Sequence, residues 1–427
     1  MKKLALIAAA AAMMGGTASA DLVFPSLDYR TGPYAPNGIP LADGYADYFT
    51  MLNERDGGIG GVATRVLPCE TEYNTTKGVE CYESTKAEGG LVYQPYSTGI
   101  TYQLIPKASA DQIPIHSMGY GRTSAANGRV FEWVFNYPGT YWDAASIIMK
   151  YIASEEGGDL SGKKIALVYH NSAYGKEPIR TLETLAERDG FELMLLPVDH
   201  PGQEQKATWL QVRRDRPDYV VMWGWGVMNQ VAIKEAASVR FPMDKFIGVW
   251  WSASENDVLP AGDAANGYKA ITLHGVGDGY PIYDDLKTHV YDKGLAAGAG
   301  DQHGTVLYNR GLVAGMLAHQ AVLKAQEIHG VADITPAMMR DGMENLEITE
   351  ATLEAMGVPG FMPTFTVSCE NHGPPGLGAI QQWDAAAGSW SLITEFISAD
   401  REVVDPLIAE DSAAYAAEAG IEPRACN

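Results

Sequence analysis

Residues 163–175, KKIALVYHNSAYG, decide the fold. Ile165-Ala166-Leu167-Val168-Tyr169 is a short apolar run that passes into a loop and then into a segment of helical period. This order marks a buried parallel strand feeding the helix of a βαβ unit. In such sheets ligands sit just beyond the carboxyl ends of the strands, where Tyr174 falls. The same strand–loop–helix unit recurs on both sides. The pattern implies an α/β fold with two doubly wound, Rossmann-like lobes, the second opening with this strand.

Downstream the alternation is regular: helix 175–188, strand 192–197, helix 203–214, strand 219–223, helix 227–239 and strand 246–250. A strand at 268–273 carries the chain back to the first lobe. Upstream, a strand at 21–25 leads through a turn-rich loop, 29–38, to a helix ending near Arg55. Gly57-Gly58-Ile59-Gly60-Gly61 breaks that helix and turns into a strand at 62–68. Helix 74–88, strand 91–93, helix 99–108 and strand 113–117 complete a βαβαβ lobe. Residues 130–135 read as a strand, 136–139 as a crossing between lobes, and 141–155 as a long helix. Helices near 282–293, 303–329 and 335–345 follow, then strands at 364–367, 379–383 and 389–393. The expected division is 21–138 with 273–365 as the N-terminal lobe, 139–272 with 366–398 as the C-terminal lobe, and 399–427 as a polar, Ala-rich tail.

The totals narrow the function. A chain of 427 residues is long enough for two lobes, and 31 basic against 53 acidic residues give a net charge of −22. Nucleic acid and acidic membrane surfaces are poor partners for such a surface. Lys2 and Lys3, an apolar run over 4–14 and Ala18-Ser19-Ala20 form a secretory signal peptide over 1–20, with the mature chain starting near Asp21. Export permits disulfides among the 4 cysteines. Of the three connectivities, Cys69–Cys81 and Cys369–Cys426 close the most local loops. A zinc site lacks support, because there is no C-x-x-C and no His pair at ligand spacing. No metal and no cofactor are expected.

Catalytic signatures are missing: no G-x-S-x-G elbow, no H-E-x-x-H, and no G-K-[ST] after the glycine run. The strand ends carry the interest instead. Ser97-Thr98-Gly99 places two hydroxyls and free amides at a helix start, which suits a carboxylate as well as ordinary capping. In Ser117-Met118-Gly119-Tyr120-Gly121-Arg122, the glycines allow close backbone approach, and Arg122 suits a carboxylate fork or a surface ion pair. Tyr174, Trp223, Trp225, Trp250 and Trp251 cluster past the later strands, where a pocket wall belongs.

The ordered series of Thr31-Gly32-Pro33-Tyr34-Ala35, the 57–61 glycines, Ser97-Thr98, Ser117-Met118-Gly119, 165–169 with Tyr174-Gly175, and Asp218-Tyr219-Val220-Val221 resembles the type I periplasmic solute-binding proteins of ABC transporters, in the branched-chain amino acid family. The resemblance implies two lobes joined by a three-crossover hinge that closes on a small ligand, a periplasmic location, and permease subunits in the membrane as partners. A monomer is expected. In that family the Ser/Thr cluster holding a ligand carboxylate looks like Ser97 and Thr98. Backbone groups at Gly119, Tyr120 and Gly121, the Tyr174 ring and the Trp225 ring match further site positions. The acid that amino acid binders place against the ammonium group falls near Trp250, in Gly248-Val249-Trp250-Trp251, and no acid stands there; Glu255 and Asp257 lie further along. Asn37 and the 120–122 segment, with Arg122, also depart from the amino acid pattern and join the candidate set. An unpaired buried ammonium is costly. The sequence therefore favours an aromatic or hydrophobic carboxylate without an amino group. The competing readings are a branched-chain or other amino acid binder of the same family and, in another class, a secreted hydrolase.

Overall fold

The computed structural model describes residues 21–426, so the signal peptide over 1–20 lies outside the described residues. The first lobe is built on parallel strands. Leu22–Asp28 pairs with Thr64–Glu70 on one side and bridges Gly90 and Gln94 on the other. Tyr93 bridges Ile115, and Ile115–His116 pairs with Val134–Phe135. The helix Ala35–Asp56 buries Leu41, Tyr45, Tyr48, Phe49 and Leu52 and ends where Gly57 takes φ 72°. It packs on the long helix Val306–His329. Their close approach depends on Gly44, where a Cβ would collide with the Tyr308 carbonyl oxygen.

The second lobe holds the larger sheet. Its strands run in the order Ser389–Leu392, Leu377–Asp384, Lys269–Thr272, Phe246–Gly248, Tyr219–Trp223, Lys164–His170, Glu192–Val198. The strand read from 165–169 pairs in parallel with both Glu192–Val198 and Tyr219–Trp223. Leu377–Asp384 enters antiparallel beside Lys269–Thr272. The alternation expected from sequence is therefore present in this sheet.

Several expectations need correction. The strand expected over 130–135 shortens to Val134–Phe135, because Thr123–Ala126 forms a 3-10 turn and the following residues stay irregular. Residues 91–93 make isolated bridges rather than a ladder. The stretch after 399 is not a loose tail. Arg401–Ala419 is a helix that buries Val403, Val404, Leu407 and Ala416 despite Pro406 inside it. Alanine's high helix propensity and this apolar face outweigh the proline's missing donor. The helix meets both lobes: Asp411 pairs with Arg122, while Arg401 pairs with Asp143 and Asp400 with Arg188. The expected disulfides, Cys69–Cys81 and Cys369–Cys426, are both formed. Among the described residues no helix is long and apolar enough to cross a membrane, and no group of three or more His, Cys, Asp or Glu is placed to hold a metal ion.

Candidate functional site

Between the lobes lies a small cavity. Each wall residue sits just past the carboxyl end of a parallel strand, or on the first turn of a helix that begins at the cleft. From the first lobe come Tyr29, Tyr73, Tyr96, Ser97, Thr98 and Tyr120; from the second come Tyr141, Tyr174, Trp225 and Trp251. No charged side chain lines it. Burial holds the hydroxyls of Tyr96, Tyr120, Tyr141 and Tyr174 far above their ordinary pKa, so they remain neutral.

The local backbone explains several placements. Ser97 caps the helix Thr98–Asp111, its Oγ accepting from the Ile100 N–H at 3.5 Å. The first amides of that helix have no intrahelical acceptor and face the cleft end with the positive pole of the helix. Thr98 Oγ1 accepts from the Gly121 N–H at 3.2 Å. Tyr73 and Tyr96 take φ values of 59° and 49°, a left-handed conformation that costs a non-glycine residue energy. Tyr120 is fixed by accepting from the Tyr96 N–H at 2.8 Å, and Tyr174 by donating to the Gly224 carbonyl at 2.8 Å. Two wall groups are buried with no hydrogen-bond partner, the Trp225 Nε1–H and the Tyr96 hydroxyl.

Ser97, Thr98, Tyr120, Tyr174 and Trp225 are thus brought together as the sequence suggested. The other candidates lie elsewhere. Arg122 does not fork into the cavity: its guanidinium pairs with Asp411 at 2.6 Å and donates to Ser124 Oγ at 2.8 Å. Trp250 is fully buried behind the wall and donates to the Gly119 carbonyl at 2.7 Å, an acceptor it shares with Trp251 Nε1 at 3.0 Å. Gly119 and Gly121 therefore bond to protein groups rather than facing the cavity. Asn37 donates to Asp257 and Ser254 across the cleft, at 3.0 and 3.3 Å. Asp257, whose pKa burial raises to about 6, also accepts from Asn229 and from the Ser254 N–H, each at 3.0 Å.

These bonds and others hold the cleft closed. The Tyr34 hydroxyl lies 2.8 Å from His170 Nε2 and 2.9 Å from His200 Nδ1, so both histidines join the rim. The Val227 N–H donates to the Pro33 carbonyl at 3.2 Å. Glu177 accepts from Tyr102 and from the Thr123 N–H, and Glu255 from the Val306 N–H at 3.0 Å. Trp251, one of the aromatics expected at a pocket wall, lines the cavity, while Tyr29, Tyr73, Tyr96 and Tyr141 were missed by sequence reasoning. The strand-end rule that selected Ser97 also points to Tyr29 and Tyr73.

A two-lobed α/β molecule shut over a small neutral cavity at its strand ends is the architecture of a ligand-trapping protein. The family model described as periplasmic binding protein matches residues 23–389. The chain belongs to the periplasmic binding protein family, with the type I fold of the substrate-binding components of ABC transporters. A structure described as an ABC transporter permease from the Pseudomonas fluorescens group is 43% identical, with a TM-score of 0.87, covering 96% of this chain and 100% of that one. A branched-chain amino acid ABC transporter structure from Thermus thermophilus with bound valine is 20% identical, with a TM-score of 0.75 over 90% of this chain and 98% of that one. A solute-binding protein from R. palustris in complex with benzoate is 16% identical, with a TM-score of 0.67 over 89% and 98%. No curated protein sequence matches.

Proposed function

We propose that the protein captures a small aromatic or apolar carboxylate lacking an amino group and delivers it to the permease subunits of an ABC importer. The observation that carries this reading is an aromatic cavity with no charged side chain in its wall and a buried donor, Trp225 Nε1–H, that has no partner. The amides that begin the helix Thr98–Asp111 also suit an anion, and the tyrosine and tryptophan rings suit a flat or branched apolar body. The cavity is small, which favours a small acid. The protein acts as a monomer in the periplasm, binding rather than transforming its ligand. Lobe closure by population shift creates the form that the permease receives.

The valine-bound relative favours a second reading, an amino acid ligand. That ligand needs a counter-charge for its ammonium group. The nearest acid expected from sequence, Asp257, is already held by three donors and does not line the cavity. A thermal-shift screen of the mature protein separates the two, because a ligand that binds only the native state raises the melting temperature. Aliphatic and aromatic amino acids are compared with matching amine-free acids. A shift from amine-free acids alone supports the proposal, and Trp225→Phe then weakens binding about tenfold or more, the cost of one charge-assisted hydrogen bond. A shift from leucine or valine refutes it.

A further inference from the structure

We infer that Arg310 selects the charge of the ligand: its guanidinium is buried behind the cavity wall without a carboxylate of its own, so the closed lobes favour an anion. This deepens the carboxylate reading and rests on it.

Arg310 lies on the helix Val306–His329 of the first lobe and is fully buried. Its Nε donates to His274 Nε2 at 2.8 Å, and one terminal nitrogen donates to the Trp250 carbonyl of the second lobe at 3.2 Å. The other terminal nitrogen is buried with no partner. His274 supplies no negative charge. Its Nδ1 lies 2.7 Å from the Gly275 carbonyl and therefore carries the proton, leaving Nε2 bare to accept from Arg310. No carboxylate among the described residues pairs with Arg310. Burial pulls its pKa down to about 9, which leaves it charged at neutral pH.

The guanidinium carbon lies 5.1 Å from the centre of the Trp251 ring, and Trp251 lines the cavity. Arg310 is thus separated from the ligand space by aromatic rings, and it touches both lobes. Opening releases the bond to Trp250 and readmits water; closing strips that water from an unpaired cation, which is costly without a counter-charge. An anion trapped beside Trp251 offsets the cost across a region of low dielectric. A box of tyrosines and tryptophans taken alone would also suit a quaternary ammonium ion. The buried cation behind it opposes that ligand and any free amine.

The test compares Arg310→Met with wild type in full-length mature protein, with Arg310→Lys as the charge-keeping control. Binding is measured for matched pairs, benzoate against benzamide and 4-methylpentanoate against its amide, with choline as the cationic probe. Wild type prefers each acid over its amide by on the order of tenfold or more, a typical coupling between a ligand and a two-state closure. R310M brings each pair close to parity, and R310K keeps most of the preference. An unchanged acid-to-amide ratio in R310M overturns the inference, as does a wild type that binds choline or the amides as well as the acids. If wild type binds none of these compounds, the carboxylate reading falls, and small-angle scattering of the unliganded proteins decides on Arg310 alone. A more compact R310M then supports the unpaired charge as a brake on closure, and identical radii of gyration reject it. Arg310→Gln replaces R310M if the methionine variant does not fold.

Discussion

Glu177 predicts how closure responds to pH. It sits on the second lobe and accepts from the Tyr102 hydroxyl and, at 3.3 Å, from the Thr123 N–H, both across the cleft. Burial raises its pKa from 4.5 to about 7 in the closed form. Opening the cleft returns the carboxyl to water and to its ordinary value. Between those two values the closed form holds a proton that the open form has lost. The closed state therefore keeps its full advantage below the lower value and loses it as pH rises through the upper one. One linked proton makes the closing constant fall roughly tenfold between about pH 6 and pH 8. Glu177→Gln mimics the protonated form at every pH and removes that share. Isothermal titration with the tightest-binding acid of the screen, at both pH values, reads it directly, since a simple carboxylate ligand stays ionised throughout. Glu255, also raised to about 7 by burial, is present in both proteins and cancels in the comparison. Equal pH slopes for variant and wild type, or a wild-type affinity that climbs with pH, refute the reasoning.

Tyr34→Phe removes the hydroxyl shared by His170 and His200, which burial keeps neutral at physiological pH. Two hydrogen bonds of about 1 kcal/mol each are lost from the closed form alone. Ligand affinity should drop more than tenfold in titration, while the melting temperature of the unliganded protein holds; a fall in the latter with unchanged affinity counts against a rim latch. Cys369→Ser opens a bridge spanning 57 residues. Chain entropy puts its cost at about 4 kcal/mol, to be read from guanidinium unfolding under non-reducing conditions, and reductant on the wild type, which also opens Cys69–Cys81, should cost more. An unfolding midpoint that does not move contradicts the assignment.

The second sheet was legible because its strands are short apolar runs between helices, and burial on both faces demands that composition. Strands of the first lobe were harder: Tyr93 and Val134 contribute only a residue or two of pairing each, too little for a periodicity to emerge. At the site, Ser97, Thr98, Tyr120, Tyr174 and Trp225 were readable as strand-end residues with suitable chemistry. Trp250 and Trp251 are adjacent, and nothing in their order says which ring faces the cavity. Arg122 looked free because its partner, Asp411, is 289 residues away on a segment read as a tail. Tyr73 and Tyr96 reach the cavity through left-handed backbone, a conformation that tyrosine does not advertise. Arg310 lies in the second turn of a long helix, where an arginine ordinarily signals a solvated face.

The helix Arg401–Ala419 carries a mechanical consequence. The segment around it is held on both sides: Ala399 donates to the Gly376 carbonyl, Arg424 to the Gly128 carbonyl, and Phe131 stacks on Tyr415. In a rotating body, displacement grows with distance from the axis. A rod that keeps hold of both halves through a full cycle must run near that axis, where little travels. On that geometry the helix is expected to lie close to the pivot, with the Cys369–Cys426 bridge fixing the chain just beyond its end.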